Sequence, residues 1–326
     1  MDINRQNMNE LFLGFQQVFK RGFETADIEY RKFSTEVRST TAVEVYPFLE
    51  QFGGMREWIG DRQINHVSSQ KKSVANRDFE DSVVVRRNDI EDDKYGLYSS
   101  LIQDLGAAAN SIWGELAYQA LLGGDTDGWI DGLPFFSATR KYGGDAAIDN
   151  CGTAALSMDS YAAARMKMLQ YRGHSGRALK VTPRLLIVGP ANEGVAFDIL
   201  KNARRLTAEV IGSGDTAKTI SGSIENRYAG TAEILVSQEL GSEWFLADVS
   251  KSLKPVIVQK RKEPKLTRLD SDNDENVFMR NEFLYGTDCR GEAFLSMPHL
   301  IHGSFPSWNK GKKEEFKDRK TFMIHK

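Results

Sequence analysis

The most regular apolar pattern in the chain lies between Asp93 and Leu122. Its apolar residues recur at steps of three and four, which places them along one side of a helix. They are Tyr95, Tyr98, Leu101, Ile102, Leu105, Ala109, Ile112, Trp113, Leu116, Ala120 and Leu121. Asp92 or Asp93 is suited to cap the first turn, and Gly123 and Gly124 to end the last. At about 1.5 Å per residue, this helix is on the order of 45 Å long, which suits a strut in an extended subunit.

Three glycines within this pattern weaken the predicted helix. Gly96, Gly106 and Gly114 each cost roughly 1 kcal/mol relative to alanine. We therefore expect tertiary or intersubunit packing to hold the helix in place.

A shorter amphipathic helix is predicted at residues 6–23. Its apolar side carries Met8, Leu11, Phe12, Phe15, Val18, Phe19 and Phe23. Such a side needs a partner surface, and two interpretations stay open. The helix packs on the protein's own core, or it is an arm that docks on a neighbouring subunit.

Residues 62–87 have the alternation of a long two-stranded ribbon. Residues 63–67 alternate with period two, and Phe79 with residues 83–85 supplies the return strand. The wholly polar stretch 68–73 is predicted to be the exposed tip. An isolated hairpin is marginal in water, so something outside the monomer is expected to stabilise this ribbon.

The second half of the chain predicts an α/β unit. A helix is expected over 158–171, ended by Gly173, and a buried strand at 184–188 leads through Gly189 and Pro190 into a helix over 191–206. A surface loop is expected at 212–215. Strands are predicted at 41–46, 234–236, 244–247, 255–259 and 277–279, with a polar connection of alternating charge between the last two. Residues 283–286 lead to a last apolar patch at 293–295.

Composition narrows the classes of protein that fit. The 326 residues are 40% hydrophobic with a formal net charge of −2, so a real core is possible, and the strong basic excess of a dedicated nucleic-acid binder is missing. Cys151 and Cys289 provide no disulfide framework. No apolar run reaches the roughly 18 residues of a membrane span, and the first residues lack a signal-peptide pattern. We expect a soluble protein made in a reducing compartment.

The acidic and glycine-rich motifs do not form convincing sites. The acidic cluster of residues 89–93 is typical of a helix N-terminus, although it could bind a divalent cation. Residues 125–128 fail the spacing of a calcium loop and favour a turn. The Gly189–Gly194 loop joins a strand to a helix as phosphate loops do, but it lacks the G-x-x-x-x-G-K-[ST] pattern.

The histidines and lysines are equally weak candidates. His299 and His302 share a helical spacing with Cys289 upstream, and we expect surface histidines rather than a zinc site. A solvated strand face is expected for the basic run rather than a nucleic-acid groove. That run comprises Lys251, Lys254, Lys260, Arg261, Lys262 and Lys265. We predict no catalytic, cofactor or metal site.

Five motifs, in order along the chain, resemble one family. They are Met55–Arg62, Arg87–Asp93, Asp131–Phe136, Leu185–Pro190 and Tyr285–Gly291. Together they are similar to the major head subunit of Mu-like phages and prophages, the gpT-like family, from about residue 8 to residue 303. The sequence departs from the family after Phe136, where it reads Ser137-Ala138-Thr139-Arg140.

The resemblance implies an α+β Hong Kong 97-like major capsid fold. In that fold, residues 1–48 would form an N-terminal arm, 49–91 an extended β-hairpin loop and 92–124 the spine helix of the peripheral domain. Further peripheral-domain residues would be 125–184, an α/β axial domain would span 185–250, and peripheral return strands would span 251–303. Residues 304–326 would be a C-terminal tail.

Two functional hypotheses follow. The first is a structural protein, not an enzyme: a head subunit that assembles with itself into pentamers and hexamers and forms an icosahedral shell around double-stranded DNA. Its implied partners are a separate scaffold or protease, a portal, decoration proteins and non-specifically contacted DNA, with no membrane; assembly would occur in the bacterial cytoplasm. The alternative is an α/β ligand-binding or enzymatic protein that uses the Gly189–Gly194 loop.

One further hypothesis concerns Lys71 and Lys72 at the predicted ribbon tip. Some capsids of the implied fold crosslink a loop lysine to an asparagine on a neighbour. Two lysines at a polar tip are more often simply solvated, and we expect that here.

Overall fold

The computed structural model describes residues 3–26, 28–47, 71–92, 95–141, 147–173, 176–211 and 218–306. The chain divides into two compact units. The first contains the described residues of 1–48, 69–123 and 256–296, and the second contains those of 124–255 and 297–326. These units cut across the seven-part division implied by the resemblance, and that division stays a prediction.

Six α-helices lie in the part of the chain that the structure describes. They are α1 (Arg5–Thr25), α2 (Arg87–Glu91), α3 (Tyr95–Gly123), α4 (Met158–Gln170), α5 (Glu193–Leu200) and α6 (Glu275–Arg280). The strands are β1 (Ser34–Arg38), β2 (Val43–Pro47), β3 (Lys71–Ala75), β4 (Arg77–Arg86), β5 (Arg140–Lys141), β6 (Ala147–Ile148), β7 (Cys151–Gly152), β8 (Leu185–Val188), β9 (Arg204–Ile211), β10 (Lys218–Glu225), β11 (Glu233–Val236), β12 (Trp244–Ala247), β13 (Val256–Leu269), β14 (Glu282–Leu295) and β15 (Ile301–Ser304).

The first unit packs two helices on a four-stranded sheet of order β1-β13-β14-β4. The predicted long helix is confirmed as α3, and the predicted short one as α1. Their apolar sides meet the inner face of the sheet in one core. The packing of α1 on the protein's own core is therefore confirmed. The main contributors are Met8, Phe15, Phe19, Val85, Ile90, Ile102, Leu105, Phe283 and Tyr285.

The predicted ribbon tip at 68–73 was wrong in its described part, because residues 71–73 belong to strand β3. β3 pairs with the earlier strand β2, from Val43 opposite Ala75 to Pro47 opposite Lys71, whereas β4 pairs with β14. Lys71 and Lys72 are thus the first two residues of strand β3. Burial explains the pairing of β4: Val85 of β4 is fully buried opposite Phe283, so the return strand belongs to the core sheet. The predicted strand at 63–67 lies outside the described residues.

Two predictions around the long strands were also corrected. β13 continues to Leu269, through the stretch expected to be a polar connection, and residues 277–279 are helical in α6 rather than a strand. Only Val277 of these three apolar residues is buried. A strand would place Val277 and Met279 on the same face, whereas a helix does not. Asn281, with φ of 56°, ends α6 in the left-handed conformation that favours glycine or asparagine. Residues 283–286 and the apolar patch at 293–295 are both parts of β14.

The second unit has a five-stranded sheet of order β11-β8-β12-β15-β7. The predicted strand at 184–188 is confirmed as β8, which is buried throughout, and the helix at 158–171 is confirmed as α4. The helix after Pro190 was predicted to reach residue 206, but α5 ends at Leu200 and β9 follows. The amide of Asn226 donates to the carbonyls of Asp198, Ile199 and Asn202, which satisfies the last turn and ends the helix there. Residues 212–215 lie outside the described residues.

Candidate assembly surfaces

The contact between α1 and α3 fixes the N-terminal helix on the body of the first unit. Asn4 begins α1, since its side-chain oxygen accepts from the backbone N–H of Asn7 at 2.8 Å. The two helices meet backbone to backbone at two glycines. A Cβ atom on Gly22 would lie 1.9 Å from the Gln103 carbonyl oxygen, and one on Gly106 would lie 2.2 Å from that of Phe19. Only glycine allows so close an approach.

The two-stranded β2–β3 ribbon has one face toward the first unit and one toward solvent. On the inner face, Tyr46 packs on Phe294 with ring centroids 4.8 Å apart, and Val74 is buried. On the outer face Val43 and Val45 are about half exposed, at 47% and 50%. The ribbon therefore presents a small apolar strip to the outside.

The outer face of the main sheet carries cross-strand ion pairs. Arg77 binds Glu292 through both carboxylate oxygens, at 2.5 and 2.8 Å, and Lys262 of β13 pairs with Asp288. Opposite charges on adjacent strands support the register, although exposed pairs contribute little stability. These pairs make a mixed-charge surface rather than a basic groove.

Within the basic run, Lys260 has a different role. It is buried, its ammonium lies 3.2 Å from the Glu36 carboxylate and 5.0 Å from the centre of the Trp113 ring. Glu36 also accepts from the Tyr30 hydroxyl at 2.7 Å and from Arg31 at 2.8 Å. The pKa of Glu36 is lowered by these partners, since their combined effect exceeds that of burial. This cluster ties β1 to β13 inside the subunit.

Exposed apolar side chains collect at the far end of the same sheet. Phe278 and Met279 on α6 are 83% and 69% exposed, and Leu269 and Val84 of the sheet are both about half exposed. Leu269 and Val84 flank Leu284 in register on β13, β14 and β4. A row of this kind on a soluble subunit is typical of a contact surface.

The prediction of surface histidines was wrong, because both side chains are buried. His299 and His302 are 8% and 3% exposed, and burial lowers the pKa of each to about 4. Burial and nearby carboxylates raise the pKa of Cys289 to about 11, so its thiol is unreactive at neutral pH. Among the described residues, no group of three or more His, Cys, Asp or Glu side chains is placed to hold a metal ion.

The other candidate motifs are structural in the described chain. Asp89 accepts from the Tyr98 hydroxyl at 2.5 Å, and Glu91 pairs with Arg87 at 3.3 Å. Residues 125–128 form a turn. A Cβ atom on Gly189 would lie 2.3 Å from the Gly241 carbonyl oxygen, so the loop backbone is packed against protein. The acidic Glu193 lies in the first turn of α5, which disfavours an anion there.

One buried cation escaped the sequence analysis. Arg140 of the second unit is 1% exposed, pairs with Asp131 at 2.7 Å and donates to the carbonyls of Pro134 and Phe135. Its guanidinium also lies 4.9 Å from the centre of the Trp129 ring. Asp131–Phe136 was noted as a motif, and this geometry gives its physical reason: it folds around the arginine.

The chain matches known head proteins over almost its whole length. The family model described as "Mu-like prophage major head subunit gpT" matches residues 8–153, 147–240 and 215–318. The Mu-like prophage FluMu major head subunit of Haemophilus influenzae is 30% identical over 92% of this chain and 74% of its own length. The major capsid protein of Escherichia phage Mu is 24% identical over 93% of this chain and 76% of its own length.

Solved structures give the same fold. A chain of the procapsid of bacteriophage JBD30 superposes with a TM-score of 0.57 at 26% identity, over 97% of this chain and 80% of that one. A virus-like particle from Pyrococcus furiosus gives 0.52 at 11% identity, over 89% and 97%. The second match shows the fold alone. No helix among the described residues is long and apolar enough to cross a membrane.

Proposed function

The chain belongs to the Mu-like prophage major head subunit gpT family, and from this we propose that it assembles with itself as pentamers and hexamers into a shell around double-stranded DNA. It is a major capsid protein of a Mu-like phage or prophage, has the α+β Hong Kong 97-like fold, and is a component of the virion. The observation that carries the proposal is the family match from residue 8 to residue 318.

The surfaces of the first unit suit such a subunit. The β2–β3 ribbon presents apolar side chains outward, and Phe278 and Met279 are exposed at one end of the main sheet. A closed shell covers such residues, and it multiplies weak contacts because each copy makes the same ones. The mixed charges of the sheet fit a lining that does not grip packaged DNA strongly.

Further partners and roles are part of the same proposal. We propose a separate scaffold or protease, a portal and decorating proteins as partners, assembly in the bacterial cytoplasm, and no enzymatic activity. The ion-paired lysines, the unreactive Cys289 thiol and the packed Gly189 loop support a purely structural role over the alternative of a ligand-binding protein.

Sedimentation and negative-stain microscopy of the expressed chain test the proposal. We expect closed particles, formed by the chain alone or with the neighbouring gene products of its prophage. A chain that stays monomeric under both conditions would contradict the proposal. Binding of a phosphorylated ligand that is lost in Gly194→Arg would favour the alternative instead.

A further inference from the structure

Two short connections link the described part of the β2–β3 ribbon to the main sheet of the first unit. The chain enters the ribbon from β1 through the four residues 39–42, and it leaves β3 for β4 through Asn76 alone. Each connection joins two different sheets, because β1 and β4 lie in the main sheet and β2 and β3 form the ribbon. The direction of the ribbon therefore depends on what holds these two short connections together.

The side chain of Asn76 holds them. Its amide nitrogen lies 2.9 Å from the carbonyl oxygen of Thr41, 3.4 Å from that of Ala42 and 3.1 Å from the Ser39 hydroxyl. Its backbone N–H also donates to the Ala42 carbonyl at 3.1 Å. One buried residue on the outgoing connection is thus bonded to three residues of the incoming one.

A second set of bonds ties this junction to the main sheet. Gln259 of β13 is fully buried and donates from its amide to the Asn76 side-chain oxygen at 2.6 Å. The Gln259 oxygen accepts from the Tyr46 hydroxyl of the ribbon at 2.7 Å. The backbone N–H of Ser39 donates to the Lys260 carbonyl at 2.8 Å. The ribbon is therefore linked to the main sheet by hydrogen bonds of two side-chain amides, those of Asn76 and Gln259.

This arrangement demands a primary amide at position 76. The group must donate two hydrogens and accept one at the same time, which a carboxylate, hydroxyl or alkyl group of similar size cannot do. Loss of the amide also leaves the fully buried Gln259 amide without its acceptor, which is costly in a buried site. Packing between Tyr46 and Phe294 would remain, but it does not fix an angle as hydrogen bonds do.

We propose that Asn76 is a positioning residue that sets the direction in which the β2–β3 ribbon leaves the subunit, and that shell assembly needs this direction. The inference rests on the proposed function, because a direction matters only where the ribbon meets a neighbouring copy. Without the Asn76 amide the subunit folds, its ribbon samples a wide range of angles, and contacts with the next copy are lost.

The first experiment measures the ribbon in the unassembled full-length chain. Spin labels at Ser73→Cys on the ribbon and Thr267→Cys on the main sheet, both exposed sites, report one distance in a Cys151→Ser background. We expect a narrow distance distribution in the parent and a broad one in Asn76→Ala and Asn76→Asp. Asp keeps the size of the side chain and removes its donors. Tyr46→Phe, which removes one bond, gives an intermediate width and serves if the position 76 variants fail to fold.

The second experiment measures shells by sedimentation and negative-stain microscopy. The matched control is Asn226→Ala, because Asn226 is also a buried asparagine whose amide donates to three backbone carbonyls, but it lies in the second unit. We expect closed shells to be lost in Asn76→Ala and retained in Asn226→Ala at a temperature where both are folded.

The outcomes separate the two proposals. A narrow distance distribution in Asn76→Ala overturns the positioning role, and so do normal shells despite a broad distribution. If the parent chain forms no shells under any condition, the proposed function fails, and the distance measurement still decides whether Asn76 directs the ribbon.

Discussion

Replacing Gly106 of α3 with alanine tests how the N-terminal helix is held. The added Cβ atom would lie 2.2 Å from the Phe19 carbonyl oxygen and 3.0 Å from the Phe19 carbonyl carbon. These atoms belong to the main chain of α1, so no side chain can move aside. The helices must separate, and the seating of Phe15 and Phe19 in the core loosens.

The size of the effect follows from two opposing contributions. Overpacking a well-packed contact costs about 1–3 kcal/mol, and a main-chain obstacle places this site near the upper end. Alanine in a helix interior regains about 1 kcal/mol in propensity. We therefore expect Gly106→Ala to lower the free energy of unfolding by about 2 kcal/mol, and Gly22→Ala, with its 1.9 Å contact to Gln103, by at least as much.

Gly14 provides the matched control, because it lies within α1 and a Cβ atom there would have no other atom within 4 Å. Gly14→Ala should raise the free energy of unfolding by up to about 1 kcal/mol. Urea denaturation of the unassembled chain, followed by circular dichroism and extrapolated linearly, measures all three variants. A Gly106→Ala chain as stable as Gly14→Ala would refute the close contact between α1 and α3.

Three further predictions follow from the described residues. Arg140→Ala should lower the free energy of unfolding by about 3–5 kcal/mol, because it removes the ion pair with Asp131 and the hydrogen bonds that the guanidinium donates to the carbonyls of Pro134 and Phe135. Denaturation of the purified chain measures this loss. His299 and His302 have folded pKa values of about 4 against 6.5 for the free side chain, so the unfolded state binds more protons between these two pH values. The free energy of unfolding should therefore fall from pH 6.5 to pH 4, by at most about 3.4 kcal/mol for each histidine. A double Gln variant that loses as much stability over this range would contradict the assignment. Lys71 and Lys72 lie in β3, and denaturing gels of assembled shells should show a single band; a covalent ladder that vanishes in the double Arg variant would refute this.

Patterns confined to one helix or one buried strand were predictable from sequence. The spacing of Ile102, Leu105, Ala109 and Trp113 gave α3, because one packed side of a helix repeats every three to four residues. The run at 185–188 gave β8 for a similar reason, since a strand buried on both faces is continuously apolar. The resemblance supplied the fold that joins these elements.

Pairing between distant strands was not predictable in this way. Residues 83–85 were predicted to be the return strand of a ribbon, and nothing local indicated that they also pair with β14, about 200 residues later in the chain, where Val85 is buried in the core. The same limit concealed the buried polar groups. Asn76, Arg140 and the two histidines carry no periodic signal, and their roles depend on carbonyls and carboxylates that only the fold brings near them.

Electron cryomicroscopy of particles formed by this chain tests the central claim most directly. We predict closed shells of five-fold and six-fold capsomers in which the β2–β3 ribbon of each subunit lies against the adjacent copy. Particles without such capsomers, or a purified chain found only as single molecules, would contradict the account.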